Sequence, residues 1–109
     1  IYTQSVVGSV DVYKRQELDK INPTDVVYTD TWFSMGDIED STKIEMLTKY
    51  TVNQDLMSKV NSDCMFMHCL PANRSQEVSS EVIDGSQSYV WQEAQNRLHV
   101  QKELLLNFL

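Results

Sequence analysis

The sequence is poor in the residues that build disulfide frameworks, phosphate loops and basic surfaces. Only two cysteines occur, Cys64 and Cys69, too few for a disulfide framework. They sit five residues apart in an apolar run that reads as a strand. Odd spacing on a strand turns two side chains to opposite faces, which argues against an internal bridge. Free thiols fit a reducing compartment, so a cytoplasmic location is expected. Glycine occurs only at Gly8, Gly36 and Gly85, and no Gly-rich phosphate cradle or dinucleotide fingerprint can be drawn from them. The 9 Lys+Arg are outnumbered by 16 Asp+Glu, for a formal net charge of -7. Without a basic stripe, nucleic acid is not an expected partner. No apolar run approaches the roughly 20 residues that cross a bilayer, so no membrane partner is expected either. The first residues lack the charged-then-apolar pattern of a signal peptide, and secretion finds no support.

The residues that are present have an ordinary globular balance, with 41% hydrophobic and 23% charged. A length of 109 residues allows one small domain, able to bury roughly two-thirds of its unfolded surface. Residues 1–16 do not join smoothly to the segment beyond them. Ser5 to Val12 would make a short strand without a turn or partner. The stretch VVGSVDVYKRQ resembles the translated adapter sequence found at the ends of reading frames assembled from short reads. Residues 1–16 are therefore read as foreign to the fold, the alternative being an irregular N-terminal strand or helix. Residues 17–109 carry the domain.

From Glu17 the pattern is regular. Glu17 to Ile21 reads as a helix end stopped by Asn22-Pro23, because proline pushes its predecessor out of the helical region. Asp25 to Asp30 is a β-branched and aromatic run, a buried strand by type. Thr31 to Gly36 is a loop. A helix is predicted over about 37–50, with Ile38, Ile44, Met46 and Leu47 inward. Its acidic start at Asp37, Glu39 and Asp40, and its lysines Lys43 and Lys49, follow the helix dipole. Asn53 can cap a short helix over Gln54 to Val60, burying Leu56, Met57 and Val60. Asp63 to Cys69 is a second strand, apolar enough to be covered on both faces. Leu70-Pro71 breaks it, and a polar loop runs from Ala72 to about Gln76. Ser79 to Asp84 can form a short helix closed by Gly85. Ser88 to Trp91 reads as a third strand. A final helix spans about 92–109, with Ala94, Leu98, Leu105 and Leu109 on one side.

Strands alternating with helices make an α/β pattern with parallel strands. In such sheets ligands bind beyond the carboxyl ends of the strands. Topology alone therefore directs attention to Asp30, Ser34, Cys69 and Arg74.

Three segments carry candidate chemistry. In DTWFSMG, residues 30–36, a carboxylate at a strand end precedes a hydroxyl and a Gly-terminated turn. Asp30 could pair with an ammonium group while Ser34 and the Met35 amide contact polar groups. Equally, Asp30 could cap the turn and Ser34 the next helix. In MHCLP, residues 67–71, His68 and Cys69 face opposite ways on a strand and are no obvious nucleophile pair. Cys64, His68 and Cys69 do not match a zinc spacing and lack a fourth ligand, so no metal is expected. A buried Cys and a hydrogen-bonded His are the simple alternative. In EAQNRLH, residues 93–99, Arg97 could reach an anionic or carbonyl-bearing ligand. It could instead form a surface ion pair with Glu93, four residues earlier.

Taken in order, DVVYTDTWFSMG, FMHCLPANRSQEVSSEVIDG and EAQNRLHVQKELL resemble the C-terminal part of the ornithine carbamoyltransferases. The resemblance covers about 16–109. HCLP is shared across transcarbamoylases, whereas the D-x-x-x-S-M-G loop resembles the ornithine enzymes in particular. The resemblance implies a partial three-layer parallel-sheet (Rossmann-like) α/β domain, the C-terminal part of an ornithine-binding domain. It implies transfer of the carbamoyl group of carbamoyl phosphate to the δ-amine of L-ornithine, giving L-citrulline and phosphate, with no metal or organic cofactor. Asp30 would bind and orient ornithine, with Ser34 and Met35 in a loop that closes over it. Cys69 and Leu70 would contact carbamoyl phosphate, with Cys69 beside the reacting amine, and Arg97 would contact the carbamoyl oxygen. Asp30 and Cys69 would thus be the catalytic pair.

The sequence departs from the family at Gln95, where a Glu is usual, and at Asn73-Arg74-Ser75, which replaces a common His-Arg-Gly. The Ser-Thr-Arg-Thr-Arg loop and the His-Pro-x-Gln segment that hold phosphate in the family are absent from these 109 residues. So is the earlier half of the ornithine domain. The resemblance implies a homotrimeric parent and a piece that is inactive alone. The other readings are a carbamoyltransferase for another amine such as putrescine, a non-catalytic fragment that docks on a transcarbamoylase, and a small ligand-binding α/β module resembling the family by accident.

Overall fold

The computed structural model describes Leu18, Ile21 and residues 23–109. The expectations for residues 1–16, and three of the five residues of the helix end expected at 17–21, lie outside the described residues. Two parallel strands form the centre. Strand β1 is Val26–Thr29 and strand β2 is Met65–His68, paired Val26 to Met65 and Thr29 to His68. Between them come helix α1 (Ser41–Leu47), a 3-10 turn at Thr48–Tyr50 and helix α2 (Gln54–Met57). Helix α3 (Ser80–Ile83) and the long helix α4 (Val90–Phe108) complete the order.

Burial alternates along β2, with Phe66 and His68 inward and Met65 outward. On the inner face Phe66 packs with Val52, Leu56, Met57, Val60, Cys64, Val78, Val82, Ile83 and Val90. Of that cluster, α2 contributes Leu56 and Met57, α3 Val82 and Ile83, and the start of α4 Val90. Asn53 caps α2 as expected, its side chain accepting from the Leu56 N–H at 2.9 Å, and Leu56, Met57 and Val60 are buried. Gly85 ends α3 where a Cβ would lie 2.6 Å from the Glu81 carbonyl oxygen. Only glycine fits there without moving backbone.

Four expectations are corrected. Helix α1 begins four residues late because Asp40 is its cap, accepting from the Thr42 N–H at 2.9 Å. Asp37 and Glu39 therefore precede the helix, and Ile38, expected inward, is 90% exposed. Met46 is exposed as well. The third strand does not form. Ser88 makes one isolated parallel bridge to Phe66, through Phe66 N–H to Gln87 O (2.7 Å) and Tyr89 N–H to Phe66 O (2.8 Å). The chain then turns at Tyr89 into α4, two residues earlier than expected. Neither strand is as covered as expected by the described residues: β1, read as a buried strand, leaves Val26 and Tyr28 exposed, and Met65 of β2 is exposed as well. Finally, Leu98 and Leu105 of α4, and Leu109 just past its end, are exposed rather than packed.

Candidate functional site

Parallel pairing in register puts the residues just past Thr29 and His68 side by side. Those residues are Asp30 and Cys69. The Cys69 thiol donates to Asp30 Oδ1 at 3.0 Å, across 39 residues of sequence. The same oxygen accepts from the Thr31 N–H at 2.7 Å. Asp30 thus closes its own turn and holds the thiol as well. The two loops beyond the strands are tied again where Asn73 Nδ2 donates to Thr31 Oγ1 at 3.0 Å.

The electrostatics of the pair are reciprocal. The thiol bond, foremost, together with the Thr31 amide, holds the Asp30 carboxyl below its ordinary value, against the opposing effect of burial. Burial first, then the Asp30 carboxylate, push the Cys69 thiol up. At neutral pH the pair is therefore a carboxylate and a neutral S–H donor, not a thiolate nucleophile. Tyr28, on the same strand face as Asp30, is pushed up by burial and by its neighbours Cys69 and Glu93.

His68 lies on the opposite face from Cys69, as the strand alternation requires. It is buried and bound through both ring nitrogens. The Leu70 N–H donates to Nδ1 at 2.8 Å, and Nε2 lies 3.2 Å from Glu77 Oε1. Leu70 has a φ of 55°, in the left-handed region that a branched side chain rarely adopts. The His68 backbone N–H donates to Glu93 Oε2 at 3.1 Å, which anchors the first turn of α4 to β2.

The SMG turn is self-contained. The Asp37 N–H donates to Ser34 O at 3.0 Å, the Ser34 N–H donates back to Asp37 Oδ2 at 2.9 Å, and Gly36 has a φ of 94°. A left-handed third residue is what such a turn demands, and glycine supplies it. Met35 at its tip is 93% exposed. Ser34 does not cap α1. Asp30, Cys69 and Leu70 are brought together, whereas no hydrogen bond or ion pair joins Ser34, Met35 or Arg97 to them among the described residues. Arg97 is exposed on α4. Its expected partner Glu93 has turned instead to the His68 amide. Arg74 is engaged in a salt bridge with Asp84.

Sequence reasoning did not single out Glu77 or Tyr28, and saw Glu93 only as a possible partner of Arg97. Glu77 looks like one more acid in a polar loop. Among the described residues no group of three or more His, Cys, Asp and Glu is gathered as a metal would need. None of their helices is long and apolar enough to cross a membrane.

Residues 3–108 match the family described as aspartate/ornithine carbamoyltransferase, Asp/Orn binding domain. An ornithine carbamoyltransferase of Ruthia magnifica subsp. Calyptogena magnifica is 58% identical over 86 residues, 78% of this chain and 29% of that protein. One from Methanobrevibacter smithii is 54% identical over 90 residues, 82% of this chain and 30% of that protein. Among solved structures, ornithine carbamoyltransferase from Pyrococcus furiosus aligns at a TM-score of 0.74 and 45% identity, covering 81% of this chain and 28% of that one. The chain thus spans about 30% of the length of the curated relatives it matches, and its parallel-sheet α/β fold is a partial domain.

Proposed function

The chain belongs to the aspartate/ornithine carbamoyltransferase family, and from that premise we propose that it is the C-terminal part of the ornithine-binding domain of an ornithine carbamoyltransferase. The reaction forms a bond between the δ-nitrogen of L-ornithine and the carbamoyl carbon. The bond from that carbon to the phosphate oxygen breaks, a proton leaves the nitrogen, and citrulline and phosphate result. The observation that carries this reading is the Asp30–Cys69 pair at the carboxyl ends of adjacent parallel strands, where such sheets bind ligands.

A carboxylate held ionised by its surroundings suits recognition and orientation of an amine. The neutral Cys69 thiol would form a polar wall beside the reacting nitrogen and take no covalent part. Leu70 would offer backbone contacts to carbamoyl phosphate. Arg97 would stabilise charge developing on the carbamoyl oxygen, and Ser34 and Met35 would close over the amino acid, excluding water. Ser34 and Arg97 reach those roles only through movement or with the rest of the enzyme in place. The parent would be a cytoplasmic homotrimer needing no cofactor. Residues 1–16 would lie outside the domain carried by 17–109, although the family match opens at residue 3.

The test is steady-state citrulline formation by the full-length protein. Asp30→Ala is expected to raise the KM for ornithine roughly 10- to 100-fold, the loss of a charged hydrogen bond. Carbamoyl phosphate binding should change little, and equal loss for both substrates refutes the assignment. Turnover of putrescine in preference to ornithine would move the enzyme to another amine. The intact Ser34-Met35-Gly36 turn favours ornithine.

A further inference from the structure

Glu77 is fully buried, as is His68, and the two side chains are paired. One oxygen, Oε1, takes two hydrogen bonds, from the Asn73 N–H at 2.5 Å and from His68 Nε2 at 3.2 Å. The other, Oε2, is buried without a partner among the described residues. A buried carboxylate left half satisfied is costly, and its two bonds point at one object. They grip the turn that leaves β2 from both ends. Asn73 is the far end of that turn. At the near end His68 Nδ1 accepts from the Leu70 N–H at 2.8 Å. An Nδ1 that accepts leaves the proton of the neutral ring on Nε2, where it is donated to Glu77.

We propose that Glu77 is a positioning residue, which through His68 and the Asn73 amide fixes the 69–73 turn so that the Cys69 thiol and the Leu70 backbone meet the substrates. This rests on the ornithine carbamoyltransferase reading of the site. The conformation of Leu70, at φ 55°, needs such support, since a non-glycine residue leaves the left-handed region readily when unrestrained. His68 is not a base for Cys69. Both its nitrogens are committed elsewhere, and the thiol is bound to Asp30 on the other face.

The experiment uses the full-length enzyme with Glu77→Ala, His68→Phe and Glu77→Gln, the folded fraction being measured by circular dichroism. In the two severing variants kcat/KM for carbamoyl phosphate should fall roughly tenfold or more, the scale of one buried hydrogen bond to a charged group. The KM for ornithine should change clearly less, because Asp30 directly follows β1 and keeps its bond from the Thr31 amide. Glu77→Gln keeps an acceptor at Oε1 and should recover most of the loss. Lowered melting temperature with unchanged constants for the folded fraction means a purely structural role and overturns the proposal. Should neither severing variant fold, ring nitrogen NMR of histidine-labelled wild-type enzyme decides. The Nε2–H tautomer at His68 supports the proposal and the Nδ1–H tautomer overturns it. A wild-type protein that forms no citrulline refutes the carbamoyltransferase reading, whereas an active wild type with indifferent variants refutes this inference alone.

Discussion

Asp30 and Cys69 share one proton-bearing contact, and each sets the other's charge. Because Asp30 pushes the thiol up, removing its charge should let Cys69 ionise at lower pH. Alkylation of Cys69 by iodoacetamide, monitored by mass spectrometry, is expected to be slow at neutral pH in the wild-type protein. In Asp30→Asn its rise with pH should shift to lower pH, since the neutral amide no longer repels a thiolate. An unshifted profile would mean that Asp30 does not govern the thiol. Cys64, 1% exposed and also pushed up by burial, provides the unreactive reference. The sequence made Asp30 and Cys69 legible as strand-end residues, and the alternation of His68 and Cys69 legible as opposite faces. It did not reveal the bond between them, nor Glu77's grip on the turn. The first contact joins residues that are neighbours only after the strands pair, and no local pattern encodes the pairing partner of a strand; the second depends on the chain folding back within nine residues, which a polar loop composition does not announce.

At the level of elements, the ends carry the information. Helix α2 is readable because Asn53 is an unambiguous cap before a buried Leu56-Met57 pair. The start of helix α1 is not. Three acids precede it, and only the bond from Thr42 to Asp40 decides which of them is the cap. The SYVW run has strand composition, yet its tertiary setting overrides propensity. One bridge to Phe66 satisfies Gln87 and Tyr89, and Glu93 then draws the helix start onto the His68 amide. Gly85 is a sharper marker. An Ala there would place its Cβ 2.6 Å from the Glu81 carbonyl oxygen, so backbone must shift. Gly85→Ala is expected to cost about 1–3 kcal/mol, within the range of strained single substitutions. Thermal denaturation of the full-length protein should register a lower melting temperature, and an unchanged one would show that the turn relaxes freely.

The molecule as a whole leaves apolar surface uncovered. Leu98, Leu105, Leu106 and Phe108 on α4, and Val26, Tyr28 and Met65 on the sheet, are exposed. Apolar patches on this scale mark surfaces that meet other structure, which agrees with a chain spanning about 30% of its relatives' length. The 109-residue chain by itself is expected to form no citrulline in a colorimetric assay and to bind a hydrophobic dye such as ANS. Turnover by the isolated chain would refute the fragment reading. The parallel register has one more consequence. Thr29 stands opposite His68, so the identity of Asp30's neighbour is a matter of counting along two strands. Slip the pairing by one residue and the carboxylate would face an imidazole or a leucine in place of the thiol. A single inserted residue within either four-residue strand would therefore change the chemistry of the site outright, whereas one inserted in an exposed stretch of the connection, outside the Ser34–Asp37 turn and the core residues, would leave the Asp30–Cys69 pairing in place.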